Sequence, residues 1–221
     1  MSDQQKYRGA KALPPVIPLF PLAGALLLPG GQLPLNIFEP RYLRMLDDAL
    51  GGARVIGMIQ PADGDSEDGR PCLFDVGCAG RITSFMEADD GRYLITLTGI
   101  RRFRLTDEAA ADTPYRQGQA DWAAFDIDAH KDLSGEEIDR DEFLEIMQDY
   151  LGAEGLETDW EAAASAPIDA LVASLAMGCP FAPNEKQALL EARTVADRAE
   201  CLMALMEMSG GDGQGGDQRL Q

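Results

Sequence analysis

The sequence predicts an α+β protein, a small barrel-like sheet with one internal helix followed by a C-terminal helical bundle. Two observations lead there. From Leu13 to about Ala129, short apolar runs are bounded by Gly, Pro and acidic clusters, the grammar of strands and turns. From Lys131 onward, Ser, Thr or Asn starts precede apolar residues at helical spacing. The expected organisation is a lead-in at 1–12, a β domain at 13–130, a helical bundle at 131–209 and a disordered Gly-rich tail at 210–221.

Taken in order, Val16–Phe20, Ala25–Leu28 and Leu33–Phe38 read as short extended pieces whose prolines suit edges and bends. Pro29-Gly30-Gly31 is a turn signal. Pro40 suits the first position of a helix, because its missing N–H would have no partner there, and it pushes Glu39 into extended backbone. Tyr42, Leu43, Leu46 and Leu50 then line one side of a helix that stops at Gly51-Gly52. Arg54–Gln60 is an apolar strand and Pro61–Pro71 an acidic loop. Leu73–Glu87 and Arg92–Leu105 form the clearest hairpin, turned at Ala88-Asp89-Asp90-Gly91. In its second arm the period of two sets Arg102 and Arg104 opposite Phe103 and Leu105. Tyr115–Ala129 reads as a last strand, bulged at Gly118.

The helical half is marked by its starts. Ser134-Gly135-Glu136-Glu137 has the capping-box pattern, ahead of Ile138, Phe143, Met147 and Tyr150. Thr158–Glu161 repeats it, Pro167 opens a helix that Gly178 closes, and Asn184–Gln187 is a third start. Thr194–Asp197 is the weakest match, leading to Leu202, Leu205 and Met206.

Composition narrows the function. Hydrophobic residues are 45% of the 221, enough for a real core. The longest apolar stretch, Ala12–Leu28, is broken by Pro14, Pro15, Pro18, Pro21 and Gly24, so neither a membrane span nor a signal-peptide core is expected, despite Lys6, Arg8 and Lys11 before it. Acids outnumber bases 38 to 19, a net charge of −19 that repels phosphate backbones and acidic membranes. Cys72, Cys78, Cys179 and Cys201 lack metal-site spacing and read as reduced thiols of a cytoplasmic protein; no metal or cofactor is expected.

Catalytic patterns are missing. The sequence holds no phosphate-binding G-x-x-x-x-G-K-[ST] loop and no G-x-S-x-G elbow. The single histidine, His130, sits among acids and reads as a surface residue. Lys6, Lys11, Lys131 and Lys186 have no serine in a suggestive context, and the acids of Asp132–Glu145 read as a solvated helix start. Arg101, Arg102 and Arg104 are the one dense basic cluster; it either grips an anion or neutralises nearby acids. The segment Phe38-Glu39-Pro40-Arg41-Tyr42 reads first as a strand-to-helix corner.

These residues also carry a family resemblance. "IPLFPLAGALLLPGGQLPLNIFEPRYLRML" resembles the opening of the Lon protease N-terminal, or substrate-binding, domain family, with F-E-P-R-Y in the form of stand-alone bacterial members and of Lon-domain RING-finger proteins. "GCAGRITSF" is similar to the family's G-x-x-G-x-I strand and "LTGIRRFRL" to its G-x-x-R-F-x-I strand. "NEKQALLEARTVADRAECLMAL" resembles its E-K-Q-x-L-L-E helix and the helix after it, so the likeness runs in order from about residue 13 to 208. The resemblance implies a PUA-like β-barrel, then a helical bundle. It also implies a recognition piece without the ATPase and Ser–Lys peptidase of full Lon proteases, so no enzyme activity is carried over.

The implied function is recognition of unfolded or degron-bearing polypeptide, as an adaptor in protein quality control, through an apolar groove or a sheet edge. Phe38, Glu39, Arg41 and Tyr42 are the first candidate contacts, with Arg101, Arg102 and Arg104 a weaker basic patch. The implied partners are polypeptide substrates or a protease or chaperone, with self-association a further expectation. Two other classes stay open: RNA binding, which PUA-like barrels also perform but which the charge opposes, and an enzyme with an unrecognised pocket.

Overall fold

The computed structural model describes residues 13–65, 69–130, 132 and 134–212. The expected lead-in at 1–12 lies outside the described residues. The chain divides into two compact units. One comprises the described residues of Met1–Lys131 with Pro180–Leu190, the other those of Asp132–Cys179 with Glu191–Gln221. The expected helical stretch 131–209 is therefore interrupted, because Pro180–Leu190 groups with the sheet.

The sheet unit is built from β1 (Val16–Pro21), β2 (Gln32–Ile37), helix α1 (Pro40–Gly51), β3 (Val55–Ile59), β6 (Val76–Glu87), β7 (Tyr93–Glu108) and β8 (Gln117–Asp121). Its strands run in the order β2-β7-β6-β3-β1-β8, and β8 also pairs with β7. Pairing thus returns to β7 after β8. β1 runs parallel to β3, and the other pairs are antiparallel. The interior holds Ile17, Leu19, Val55, Ile59, Ala79 and Phe103, with Trp122 edge-on to Phe103. Close packing explains two motif glycines. A side chain at Gly77 would press on Phe103 and the Met58 carbonyl at 2.6 Å, and one at Gly99 would meet the Leu28 carbonyl oxygen at 2.0 Å.

Several expectations are corrected here. Ala25–Leu28 is not a strand; Leu26, Leu27 and Leu28 are fully buried, and the chain is tied to β7 beyond them by Gly30 N–H to the Gly99 carbonyl and Gly99 N–H to that of Gly31. The acidic stretch after Ile59 contains strand β4 (Pro61–Asp65), paired with β5 (Pro71–Leu73). The last strand ends at Asp121, and Ala123–Ala129 forms 3-10 turns instead. Asp121 helps to end it, since its side chain accepts from Ala123 N–H. The register irregularity lies on β7 between Leu105 and Asp107, opposite β8, rather than at Gly118. The hairpin turn at Ala88–Gly91 is as expected, with Gly91 at φ 78°.

The helical unit contains α2 (Arg140–Ala153), α3 (Trp160–Ser165), α4 (Ile168–Gly178) and α6 (Val195–Asp212), while α5 (Pro183–Glu191) is the helix that groups almost entirely with the sheet. Phe143, Met147, Tyr150 and Leu151 of α2 are buried, close to the predicted stripe. Its start is not Ser134. Ser134–Glu137 is a 3-10 turn, and Asp139 caps α2 by accepting from Asp141 and Glu142 N–H. Ser134 and Asp132 instead accept from Ala196 and Val195 N–H, capping α6 across the unit. The weakest predicted box is the one that forms reciprocally: Thr194 Oγ1 accepts from Asp197 N–H and Asp197 from Thr194 N–H. Helix α6 continues through Gly210, Gly211 and Asp212, so the expected tail starts too early; 213–221 lie outside the described residues.

Candidate functional site

The predicted corner is built as its sequence dictates. β2 ends at Ile37, Glu39 is extended (φ −71°, ψ 133°) and Pro40 opens α1. Glu39 does not cap the helix with its side chain; its carboxylate holds the Arg41 guanidinium at 2.9 Å. Arg41 lies over the Tyr42 ring, 4.5 Å from its centroid, and Tyr42 packs on Phe20 at 4.3 Å. Three of the four named residues are thus joined, but Tyr42 is a core residue, buried with Met45, Leu46 and Ala49. Burial pushes its phenol above the usual range, so it stays neutral. The Glu39–Arg41 pair is exposed and contributes at most about 1 kcal/mol. Phe38 differs: 62% of it is exposed, an aromatic ring held in water at the end of a strand.

The sheet register shows what stands near it. Ile37, Tyr93 and Glu87 form one row across β2, β7 and β6; Asn36, Leu94 and Met86 form the next; Leu35, Ile95 and Phe85 the third. Phe38 follows directly on the first row. Phe85, Met86 and Leu94 are 48%, 57% and 41% exposed, and the Phe85 and Tyr93 rings lie 5.3 Å apart. Pattern reading missed these three. Part of the signal was present: Phe85-Met86 and Tyr93-Leu94-Ile95 put apolar residues in both phases of the strand, so one phase, that of Met86 and Leu94, had to face water, whereas Phe85 shares the phase of the buried Ile95 and gave no such signal.

The arginine cluster has a different fate. Arg102 is 1% exposed, with Asp128 at 2.7 Å. It also donates to the Leu190 carbonyl at 2.9 Å and lies over the Phe125 ring at 4.6 Å. The second Asp128 oxygen accepts from Arg102 N–H at 2.9 Å. Arg101 binds the Asp126 carboxylate and the Phe125 carbonyl. Period two does set Arg102 opposite Phe103, but the turns at Ala123–Ala129 cover that face. Only Arg104 is exposed, so the three do not form a basic patch.

The E-K-Q segment on α5 is also architectural. Glu185 accepts from Ala182 N–H, and Lys186 donates to the Gly24 carbonyl at 3.0 Å. Gln187 donates to the Val76 carbonyl at 3.1 Å and accepts from Gln60, which also donates to the Pro183 carbonyl and accepts from Gly24 N–H. These bonds fasten the returning helix to the sheet.

The chemistry available is limited. Among the described residues no group of His, Cys, Asp or Glu is arranged to hold a metal, the four cysteines are unbridged and His130 is exposed. No helix of the described residues is long and apolar enough to cross a membrane. A groove of about 430 Å³ in the helical unit is lined by Trp160, Leu144 and three polar side chains of α2. A polar one of about 410 Å³ beside Tyr115 and Arg116 has its guanidinium bound to Glu108. Burial and a bond to Asp48 push the Tyr115 phenol up to about 12, a stabilised neutral donor. Neither groove joins a nucleophile to a base.

Known proteins match along the same span. The family of the ATP-dependent protease La (LON) substrate-binding domain matches residues 16–208. The chain is 27% identical over 203 residues to Lon protease 2 of Myxococcus xanthus and 26% identical over 203 residues to Lon protease of Anaeromyxobacter dehalogenans, covering 88% of this chain in each case. It spans only 24% and 23% of those relatives' lengths. Two solved structures share the fold. A Lon N-terminal domain protein from Xanthomonas campestris superposes with TM-score 0.62 at 24% identity, covering 86% of this chain and 97% of that one. The N-terminal domain of Mycobacterium avium complex Lon protease gives 0.57 at 14% identity, covering 87% and 98%.

Proposed function

Because the chain belongs to the LON substrate-binding domain family, we propose that it is a non-catalytic module that binds exposed segments of unfolded or degron-bearing polypeptides. The observation that carries this reading is the family match over residues 16–208. The fold supports a location at one end of the sheet: Met86 and Leu94 expose apolar surface side by side on one face, Phe85 exposes it on the other, and Phe38 follows the row of Ile37. Isolated exposed apolar residues are ordinary, but several at one site mark contact surfaces. Glu39 and Arg41 supply a polar rim beside Phe38, while Tyr42 supports them from below.

On this reading the protein makes and breaks no bonds. It hands captured chains to a protease or chaperone in the cytoplasm, an adaptor in quality control. The return of β8 onto β7 supports reading the sheet as a PUA-like barrel. RNA recognition loses support, since Arg101 and Arg102 are held by Asp126 and Asp128.

The test is a titration of the protein into a labelled, permanently unfolded carboxymethylated protein, followed by fluorescence anisotropy. Saturable binding that weakens with Phe38→Ser is expected. Unaltered binding by that variant rejects the location, and no binding at any concentration rejects the function.

A further inference from the structure

The β6 strand outlasts its neighbour. β3 pairs with it only from Cys78 to Arg81, and the last backbone bond on that side runs from Ile82 N–H to the Arg54 carbonyl. From Ser84 to Glu87 the strand is paired with β7 alone, and Thr83 to Glu87 are all exposed. An unpaired strand edge is a template for another strand.

We propose that this outer edge of β6, Thr83–Glu87, accepts an extended polypeptide as an added strand, choosing one with an apolar side chain beside Phe85 and a basic one beside Glu87. The proposal rests on the polypeptide-recognition reading and names its mode and its preferred sequence.

A second edge, that of β2, allows a comparison. β2 carries Pro34 at its middle, which has no N–H to give and blunts an edge. The β6 segment, Thr-Ser-Phe-Met-Glu, has no proline. Its alternation puts Phe85 and Glu87 on one face and Ser84 and Met86 on the other, so an added strand finds an apolar contact on each side. Backbone bonds would give affinity to any extended chain, and the side chains would sort the sequences.

The charges at the tip fix the sign of the sorting. Glu87 faces Tyr93 in the last row, and its negative charge, followed by desolvation and a smaller effect from Asp47, raises the Tyr93 phenol above its usual range. Asp89 and Asp90 follow in the turn. The nearby bases are engaged: Arg92 binds Asp90 at 2.7 Å, and Arg81, at the far end of the segment, donates to the Ala53 carbonyl. A net charge of −19 extends the same field over the molecule.

The experiment uses the full chain and fluorescein-labelled peptides read by anisotropy. One peptide repeats Val-Thr-Lys-Thr, which sets valine and lysine two residues apart on one face as Phe85 and Glu87 are, and another repeats Val-Thr-Glu-Thr; two more are the lysine peptide N-methylated at odd or at even amides. The lysine peptide is expected to bind, with the glutamate peptide and one N-methylated peptide at least about tenfold weaker. Phe85→Ser should weaken the lysine peptide about tenfold without changing the melting temperature. Glu87→Lys should reverse the lysine-over-glutamate preference, while Glu145→Lys, in the helical unit, should leave the order unchanged. Equal binding of both N-methylated peptides, or an unreversed preference in Glu87→Lys, overturns strand addition here. If Phe38→Ser abolishes binding while Phe85→Ser does not, polypeptide recognition stands and this edge falls. Failure of the lysine peptide and of the unfolded protein alike rejects both. A dimer in sedimentation that Phe85→Ser dissolves assigns the edge to a second copy and also overturns the proposal.

Discussion

Two regions of the sheet unit treat their side chains in opposite ways. Around Arg102 and Gln187, charged and polar groups are buried and bonded: Arg102 to Asp128 and Leu190, Gln187 to Gln60 and Val76. At the other region, Phe38, Phe85, Met86 and Leu94 leave apolar surface in water. The first arrangement tolerates little change, because a buried group that loses its partner bears the whole desolvation penalty. The second contributes little to folding and is free to serve contact. Where the chain spends polar groups inside and leaves aromatics outside, stability and recognition have been separated.

Substitutions can break or sharpen that contrast. The largest effect is expected for Asp128→Ala, which strands the Arg102 charge and should destabilise by about 3–5 kcal/mol in urea unfolding. A fall below about 1 kcal/mol would mean that water reaches Arg102 in the folded state. Gln187→Leu leaves Gln60 and the Val76 carbonyl each without one partner, so a loss of about 1–3 kcal/mol is expected by the same measurement.

In the helical unit, Asp132→Ala removes a cap from α6 and should cost about 1 kcal/mol at neutral pH. This effect depends on pH. Burial raises the Asp132 carboxyl, but the Ser134 side chain and N–H, the Val195 N–H and the Arg198 charge together outweigh it and hold it below the usual carboxylate value. The folded state therefore binds fewer protons than the unfolded one in that range. The contribution is complete above the unfolded value and fades as pH falls through the lowered one, so wild type and variant should converge in acid. A difference that stays constant down the pH range would remove the carboxylate from this role.

The smallest stability effect belongs to the exposed end. Phe38→Ser and Phe85→Ser should each shift unfolding by no more than about 0.5 kcal/mol while weakening capture of unfolded protein. If either melts the protein, that ring is part of the core and the contrast is wrong.

Local chemistry was legible in the sequence, and spatial cover was not. Pro40 after an apolar run marked the corner, and Gly91 marked the hairpin turn, because each acts through its own backbone. The pattern placed Phe38 and Tyr42 in the same element junction but could not tell that Tyr42 would be buried on Phe20. Ser134-Gly135-Glu136-Glu137 had the right letters for a cap, yet Ser134 serves a helix sixty-two residues away in sequence. Arg101 and Arg102 looked like a basic patch because Asp126 and Asp128 lie twenty-five and twenty-six positions further on.

The sequence by itself determined the class of elements, most of their starts and stops, the hydrophobic phases of the hairpin and the family. These depend on backbone preferences and on spacing within a few residues. Tertiary structure alone decided that β8 returns to β7, that α5 groups with the sheet, that Arg102 is buried and that β6 outruns β3. Each of these follows from which distant segment covers a given face, and a free edge exists only where no such segment arrives.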